Sequence, residues 1–331
     1  MKAVRNELAT TLETAIDAAI RAPSVHNTQP WLFHVAADRI DLFADFSRQL
    51  SVTDPTARQL HLSCGAALHH LIVTLRAADL HTAVDLFPEG PGRHLASVSV
   101  TPAEDADPEQ LALAAAIFAR HSQREPFADH GVHHENLVEM RAAAEAEGGW
   151  LAILRRRGDQ VTLSVLQAQA DQAEIESPAY RAELAKWRHT QPAFDGICLE
   201  SVAKNHAVRH SEVVIRDYGV GDAPTRNTPS LGQALDTHAP DERPALVILG
   251  THSDSPQQWL IAGQALSRVL LKATMLGLRA SMLGQVIDLP GTRSRLRRQL
   301  HLTGEPQMVL RVGYGPAAQP SPRRRRSDVL I

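Results

Sequence analysis

One sequence pattern occurs twice in this chain, as SCGAALHHLIVTLRAADLHTAVDLF at residues 63–87 and as IAGQALSRVLLKATMLGLRASMLGQVI at residues 261–287. Each copy has a small residue before Gly-x-Ala-Leu, continues with the apolar spacing of an amphipathic helix, and ends in a strand-like run. A strand-like run that begins with tryptophan precedes each copy, WLFHV at 31–35 and WLAIL at 150–154. Repetition of a whole helix–strand unit predicts an internal duplication.

The two halves that this repeat predicts have unequal lengths. We place the first half at residues 1–105 and the second at residues 106–331. The tryptophan and the glycine of the pattern are 34 positions apart in the first half and 113 apart in the second, a difference of 79. We therefore predict that the second half carries an insertion, at about 170–244. The many glycines and prolines of that stretch are also compatible with a lid over a bound ligand.

Apolar periodicity predicts alternating helices and strands along the whole chain. Helices are predicted over residues 6–22, 57–79, 108–120, 134–147, 160–190 with a break near Pro178, and 256–276. Strands are predicted over residues 31–35, 39–44, 81–87, 95–100, 150–154, 245–250, 280–287 and 308–314. This alternation is typical of an α/β or α+β protein.

Composition excludes several classes of protein. The 331 residues contain 34 Lys and Arg against 37 Asp and Glu, so bulk charge argues against nucleic-acid binding. The longest apolar run, residues 111–119, is too short to cross a bilayer, and the N-terminal residues lack an apolar signal core. Two cysteines cannot form a disulfide scaffold. We expect a soluble, cytoplasmic enzyme or cofactor carrier without a membrane or nucleic-acid partner.

The first candidate binding segment is the turn APSVHNTQPW at residues 22–31, between a predicted helix and a predicted strand. Its candidate ligand-binding residues are Pro23, Ser24, His26, Asn27 and Gln29. Hydroxyl and amide side chains on a turn offer hydrogen-bond donors and acceptors to a planar polar ring. A simple helix-capping turn is the alternative interpretation.

The second candidate segment is RHSQR at residues 120–124. Arg120, Ser122 and Arg124 alternate along an extended stretch, so all three can face one side. Two guanidinium groups and a hydroxyl suit a phosphate or an electron-rich ring edge. A solvated basic patch is the alternative interpretation of this segment.

Two further segments complete the candidate set. In GLRASMLGQ, residues 277–285, a glycine at 284 within a strand-like run indicates close approach of the backbone to another group. The candidate residues of this segment are Ser281, Met282, Leu283 and Gly284. Four consecutive arginines, 323–326, lie near the C-terminus, where such runs are usually solvated. Of these, Arg323 and Arg324 are candidates.

Other chemistries find little support in the sequence. His61 and Cys64 are spaced to share a helix face, but no second cluster completes a zinc-like set, so we predict no metal site. Ser24 and His26 lack a nucleophile-elbow sequence, and we name no catalytic residue. Gly219-Val220-Gly221 lacks the third glycine of a dinucleotide fingerprint.

Taken in order, these segments resemble the FMN-dependent nitroreductase family. The closest likeness is to its Acg-like branch, in which two nitroreductase-type halves are fused. The matching elements are APSxxNxQPW, RxSxR, AGxAL leading into GLxASxLxQ, and VGY followed by PxPRR. The resemblance covers most of the chain and thins between about 190 and 240. It implies an α+β nitroreductase-like fold, with two pseudo-symmetric halves forming an intramolecular pseudo-dimer around FMN.

The resemblance also implies a role for each candidate segment. Arg120 and Ser122 would hold the phosphate and ribityl end of FMN, and Arg124 would lie nearer the flavin N1 and C2 carbonyl. The backbone N–H of Gly284 would point at flavin N5. Arg324, together with Arg323, would hold the phosphate. The residues that match the other subunit's contribution at the flavin ring are Pro23, Ser24, His26 and Asn27.

The motifs are distributed unequally between the halves. The first half has PSxxNxQP but no RxSxR before its first helix, whereas the second half has RxSxR and the terminal arginines but no PSxxNxQP. If the halves pair as two family subunits do, they complete one flavin site per chain. The pseudo-symmetric second site lacks both phosphate arginines and should stay empty.

Two functions remain open at this stage. The chain is either an FMN reductase that takes hydride from NAD(P)H and reduces a small acceptor such as a nitroaromatic or a quinone, or an FMN-storing protein without that activity. The insertion distinguishes them, because a segment that covers the flavin would slow NAD(P)H-dependent reduction. The sequence names neither the acceptor nor the oligomeric state beyond the internal pseudo-dimer.

Overall fold

The computed structural model describes residues 2–103, 107–189, 193–198 and 242–331. The helices in this part of the chain are α1 (Lys2–Ala19), α2 (Arg58–Arg76), α3 (Pro108–Ala119), α4 (His134–Ala146), α5 (Arg157–Glu176), α6 (Pro178–Lys186), α7 (Pro256–Met275), α8 (Gln285–Asp288) and α9 (Pro290–Gln299). The strands are β1 (Trp31–Val35), β2 (Arg39–Ala44), β3 (Leu80–Leu86), β4 (His94–Pro102), β5 (Trp150–Ile153), β6 (Arg188–His189), β7 (Ile197–Cys198), β8 (Ala245–Thr251), β9 (Arg279–Leu283) and β10 (Glu305–Gly313). None of the helices in these ranges is long and apolar enough to span a bilayer.

Several helices begin at a start signal that the sequence carries locally. At Asp107-Pro108, Ser177-Pro178 and Ser255-Pro256, the first side chain accepts a hydrogen bond from a backbone N–H of the first turn, and proline takes the first helical position. Proline fits there because its missing N–H would have no helical partner. These starts agree with the predicted helices and with the predicted break near Pro178.

The two halves have the same sheet topology. The first sheet has the strand order β1-β2-β4-β3 and the second has the order β5-β8-β10-β9. All neighbouring strands in both sheets are antiparallel. In each half the helix that carries Gly-x-Ala-Leu, α2 or α7, joins the second strand to the third. The predicted α+β fold with two pseudo-symmetric halves is therefore confirmed.

The glycines of the repeat lie where α2 and α7 cross. A Cβ atom added to Gly65 would lie 2.0 Å from the carbonyl oxygen of Leu260, and one added to Gly263 would lie 2.0 Å from that of Leu62. Each contact thus joins the glycine of one helix to the residue three positions before the glycine of the other. The two backbones touch about a pseudo-twofold axis, and this contact forms the centre of the pseudo-dimer.

The C-terminal residues of the second half bind to the first half. The N–H of Phe33 in β1 donates to the carbonyl of Val329 at 2.7 Å, and the N–H of Ile331 donates to the carbonyl of Phe33 at 2.9 Å. The tail therefore extends the first sheet beyond its edge strand, with a parallel bridge at Leu330. Arg326 pairs with Asp17 of α1 at 2.9 Å. These bonds fix the arginine run, which differs from the solvated tail that such runs usually form.

The long connection of the second half lies between β5 and β8, where the predicted insertion falls. Helix α5 contacts α8 through Gln167 Nε2, which donates to Gln285 Oε1 at 2.7 Å. Glu183 of α6 accepts hydrogen bonds from the backbone N–H groups of Val52 and Thr53, both at 2.8 Å. The described part of the connection thus contacts both halves. Residues 190–192 and 199–241 of the predicted insertion, where a lid would lie, are outside the described residues.

One prediction of local structure is wrong, and one helix was not predicted. The strand predicted over 280–287 ends at Leu283, and Gln285–Asp288 form a helix instead. A short buried apolar run is compatible with either structure, and here Val286 and Ile287 are buried from a helical turn. Helix α9 was not predicted because its sequence, PGTRSRLRRQ, lacks an apolar stripe.

Candidate functional site

A cavity of about 920 Å³, measured with its open mouth, lies between the two halves. The predicted residues that line it are Pro23, Ser24, His26, Asn27, Ser122, Arg124, Ser281, Met282, Gly284 and Arg323. The lining residues that the sequence did not single out are Val25, Gln59, Leu62, Ser63, Gln123, Ile197, Leu266, Asp288, Met308 and Ser321. The fold therefore brings the PSxxNxQP turn of the first half and three motifs of the second half to one cavity.

The turn at residues 23–30 has an unusual backbone. His26, Asn27 and Gln29 have φ values of 46°, 55° and 50°, in the left-handed region that non-glycine residues seldom adopt. Ser24 stabilises the turn, because its Oγ accepts a hydrogen bond from the N–H of Gln29 at 3.0 Å. Ser24 therefore has a structural role in holding the turn. Left-handed residues of this kind cluster at binding sites, where surrounding contacts hold the strain.

Two arginines of the second half lie at one end of the cavity: Arg323 lines it and is partly buried, and Arg120 is buried behind its wall. Arg120 Nη2 donates to the carbonyl of Arg21 at 3.1 Å, and Arg323 Nη2 donates to the carbonyls of Arg21 and Ala22 at 3.2 and 3.3 Å. The Nε atoms of both arginines are buried and have no hydrogen-bond partner in the described part of the chain. Each therefore retains one unused N–H donor in a dry environment, which is costly unless a ligand accepts it.

The electrostatic surroundings of this pair are strongly positive. Burial, with the neighbouring charge of Arg124, lowers the pKa of Arg120 to about 10. Burial and the charges of Arg120, Arg21 and Arg124 lower the pKa of Arg323 to about 9. Both groups remain cations at neutral pH. Every charge that acts on them within the described residues is another cation, so a bound anion would relieve the repulsion.

The RxSxR segment is attached to the edge of the second sheet. Ser122 forms a parallel bridge with Ala280, and the N–H of Gln123 donates to the Ala280 carbonyl at 2.8 Å. Ser122 and Arg124 line the cavity, and both terminal nitrogens of Arg124 lie within 3.5 Å of Ser321 Oγ. These hydroxyl and guanidinium groups extend the cationic end toward the centre of the cavity.

Four predicted residues do not line the cavity: Gln29, Arg120, Leu283 and Arg324. Gln29 is fully buried, and its Oε1 accepts the backbone N–H of Arg324 at 2.8 Å. Arg324 Nη1 donates to the Gln29 carbonyl at 3.0 Å, and its Nη2 donates to the Asp328 carbonyl. These two residues thus join the tail to the turn. Leu283 is buried in the core below the second sheet.

The opposite wall carries a buried ion pair. Asp288 Oδ1 accepts hydrogen bonds from Arg58 Nη2 and Gln59 Nε2, both at 2.7 Å. Gly284 lies directly against this group, since a Cβ added to it would be 2.8 Å from Asp288 Oδ2. Only glycine fits at this position without displacing the carboxylate, which agrees with the predicted close approach. No sequence motif marked Asp288, because its partners come from a distant helix.

Apolar side chains form the middle of the cavity. They are Leu62 of α2, Leu266 of α7, Met282 of β9, Met308 of β10 and Ile197 of the inserted segment. Leucines 62 and 266 face the cavity from either side of the helix crossing. A cavity with an apolar centre and a cationic end suits an elongated ligand with a planar body and a terminal phosphate.

Metal chemistry has no structural support in the described ranges, where no group of three His, Cys, Asp or Glu side chains could hold a metal ion. His61 Nδ1 donates a hydrogen bond to the Ala57 carbonyl at 2.7 Å, and its ring packs edge-on against Trp259. Burial lowers the pKa of His61. This histidine is a core residue.

Curated relatives extend over nearly the whole chain. The chain is 34% identical over 330 residues to a protein of Mycobacterium tuberculosis strain H37Rv provisionally named an NAD(P)H nitroreductase, covering 97% of this chain and 91% of that protein. It is 30% identical over 316 residues to a second protein of that strain, provisionally named NAD(P)H nitroreductase acg, covering 94% and 91%. No family model matches the chain.

Solved structures with weaker similarity include the FMN-dependent nitroreductase NfnB of Mycobacterium smegmatis in complex with NADPH. It is 16% identical, with a TM-score of 0.40, covering 66% of this chain and 96% of that one. Another is a nitroreductase with bound FMN from Desulfitobacterium hafniense, 12% identical with a TM-score of 0.40, covering 66% and 97%.

Proposed function

Because the chain belongs to the nitroreductase superfamily and is Acg-like, we propose that it binds one FMN in the cavity between its halves. The observation that carries this proposal is the pair Arg120 and Arg323 at the end of that cavity: among the described residues, neither Nε–H has a partner and the charges that act on both groups are cations. A phosphate in the cavity would offset the positive charge of both groups.

The remaining walls fit the other parts of the same cofactor. Ser122, Arg124 and Ser321 offer polar contacts beyond the phosphate, and the apolar centre excludes water from a planar ring. Gly284 lines the cavity, where its backbone N–H would face the ring edge. Arg120 acts from just behind the cavity wall, and Arg323 takes the phosphate role that the sequence shared between Arg323 and Arg324.

We further propose that the protein is an NAD(P)H-dependent oxidoreductase. When bound, FMN supplies a site that accepts hydride from NAD(P)H and passes electrons to a small acceptor such as a nitroaromatic or a quinone. This proposal rests on the names of the relatives and on the cavity between the halves, where FMN would bind without a second chain. We also propose that the two halves meet between residues 105 and 106 and that the pseudo-symmetric second site holds no FMN. We further propose that the protein is cytoplasmic.

One observation favours the storage function as a second candidate. The inserted segment reaches the cavity, since Ile197 lines it and the N–H of Gly196 donates to the carbonyl of Asn27 at 3.2 Å. A segment bound across the turn restricts access to a ligand below it. We therefore propose that reduction by NAD(P)H is slow and limited by access.

Anaerobic mixing of the FMN-loaded protein with NADPH or NADH separates these functions. Slow but complete bleaching of the flavin, followed by reoxidation with a nitroaromatic, supports the restricted reductase. Bleaching by dithionite but not by either nicotinamide supports storage. Rapid bleaching with turnover at ordinary enzymatic rates contradicts restricted access, and a protein that takes up no FMN contradicts the whole proposal.

A further inference from the structure

We propose that Asn27 is a positioning residue, which orients Arg323 toward a phosphate instead of contacting the flavin ring. This inference rests on the proposed FMN site. The side chain of Asn27 is 8% exposed, and protein groups occupy its polar atoms. Its Oδ1 accepts a hydrogen bond from Arg323 Nη1 at 3.1 Å, and its Nδ2 donates to the carbonyls of Gly196 and Pro322, both at 3.1 Å.

These contacts join three distant parts of the chain. Asn27 belongs to the first half, Gly196 to the inserted segment, and Pro322 and Arg323 to the C-terminal tail. The two halves therefore both contribute to phosphate binding: the second half supplies the guanidinium of Arg323, and Asn27 of the first half orients it. The sequence could not reveal this link, because the two side chains are 296 positions apart.

Within the part of the chain that the structure describes, all the acceptors that hold Arg323 are neutral. Besides the Asn27 amide, they are the carbonyls of Arg21, Ala22, Ser321 and Pro322, between 2.9 and 3.3 Å away. Only the Nε–H is left without a partner among the described residues. A neutral acceptor orients a guanidinium without cancelling its charge, whereas a carboxylate at the same place would compete with the phosphate. Asparagine at position 27 thus orients the Arg323 guanidinium and leaves its positive charge available to a phosphate.

The backbone of Asn27 defines the variants that test this role. Its φ of 55° is tolerated by Asn and Asp, and glycine adopts it without strain. Asn27→Asp keeps an oxygen beside Arg323 but adds a negative charge. Asn27→Gly removes the side chain and leaves the backbone free to keep its conformation. Asn136→Asp adds the same charge on α4, far from the arginines, and is the matched control.

The dissociation constants of FMN and of riboflavin, measured for each variant by flavin fluorescence, form the test. Riboflavin lacks the phosphate but has the same ring. We expect Asn27→Asp to weaken FMN binding by about tenfold to a hundredfold and riboflavin binding by less than about twofold. Asn27→Gly should weaken FMN binding less than Asn27→Asp does, and Asn136→Asp should change neither constant.

Other outcomes would overturn the inference. Equal losses for FMN and riboflavin would identify Asn27 as a ring contact or a purely structural residue. An FMN dissociation constant unchanged in Asn27→Gly would show that Arg323 binds the phosphate without the Asn27 side chain. If the unaltered protein bound neither flavin, the proposed FMN site itself would fail, and this inference with it. Thermal unfolding of each variant checks that it is folded, and Asn27→Gly serves if Asn27→Asp is not.

Discussion

Replacing Gly65 with alanine should separate the two helices on which the pseudo-dimer is built. The added Cβ would lie 2.0 Å from the backbone oxygen of Leu260 and 3.0 Å from the Cα of Gly263. Carbon and oxygen atoms in proteins pack at about 3.3 Å or more, so α2 and α7 would have to move apart by more than about 1 Å. No side-chain rotation can relieve the contact, because backbone atoms oppose the new methyl group.

The expected cost follows from two opposing effects. Overpacking a buried contact typically costs about 1–3 kcal/mol and more where the backbone must shift, while alanine in a helix gains about 1 kcal/mol over glycine. A backbone clash puts Gly65→Ala above the usual range, and we expect a net loss of about 3 kcal/mol in the free energy of unfolding. For a chain of 331 residues, such a loss lowers the melting temperature by roughly 4–5 °C.

Chemical denaturation of Gly65→Ala and of a matched control measures this effect. Gly158 also lies in a helix, α5, but a Cβ added there meets nothing within 4 Å. Gly158→Ala should therefore stabilise the protein by about 0.5–1 kcal/mol. Gly263→Ala requires the same helix separation, so the double variant Gly65→Ala/Gly263→Ala should lose less than the sum of the single losses. A Gly65→Ala protein as stable as the Gly158→Ala protein would refute the backbone contact.

Three further predictions concern the site and buried titratable groups. The double variant Arg120→Ala/Ser122→Ala should weaken FMN binding about a hundredfold, as measured by equilibrium dialysis. The control Arg298→Ala, on the exposed face of α9, should leave FMN binding unchanged. A stoichiometry of two FMN per chain would contradict the single complete site. Burial raises the pKa of Asp54 to about 6, so its contribution to stability is present at low pH and is lost as pH rises from about 4 to above 6. Asp54→Asn should remove this loss. In urea titrations, the free energy of unfolding of the variant should rise by about 2–3 kcal/mol relative to that of the unaltered protein between pH 4 and 7. A difference between the two proteins that does not change with pH would contradict the raised pKa. Burial raises the pKa of the Cys64 thiol, so peptide mapping after treatment with a thiol reagent should find it modified only in unfolded protein.

Local sequence patterns predicted most of the secondary structure and the duplication. Trp31–Val35 and Arg39–Ala44 are strands at the predicted bounds, and the Gly-x-Ala-Leu helices occupy equivalent places in two sheets of equal topology. These features depend on residues close together in the sequence, and the periodic spacing of the apolar ones is visible in any window of about ten residues. The predictions failed where burial rather than local pattern decided the conformation, as in Gln285–Asp288.

The candidate site was predictable only as a set of motifs. The sequence placed Arg120 and Arg324 beside a ligand, yet Arg120 lies just behind the cavity wall and Arg324 holds the tail to Gln29. It also missed Asp288, Met308 and Ser321, which line the cavity although no pattern marks them as binding residues. Alternation along an extended segment predicts which side chains share a face. Whether that face meets the cavity depends on how the segment packs against distant parts of the chain.

The sequence by itself determined that the chain has two related halves, that each has a glycine helix between its second and third strands, and that the PSxxNxQP and RxSxR motifs lie in different halves. Only the tertiary structure decided how these parts cooperate. The repeat glycines matter because two backbones touch at their crossing, and Arg323 is orientated because Asn27 lies beside it. Contacts of this kind join residues about 200 and 300 positions apart, and their energy depends on distances that no local pattern encodes.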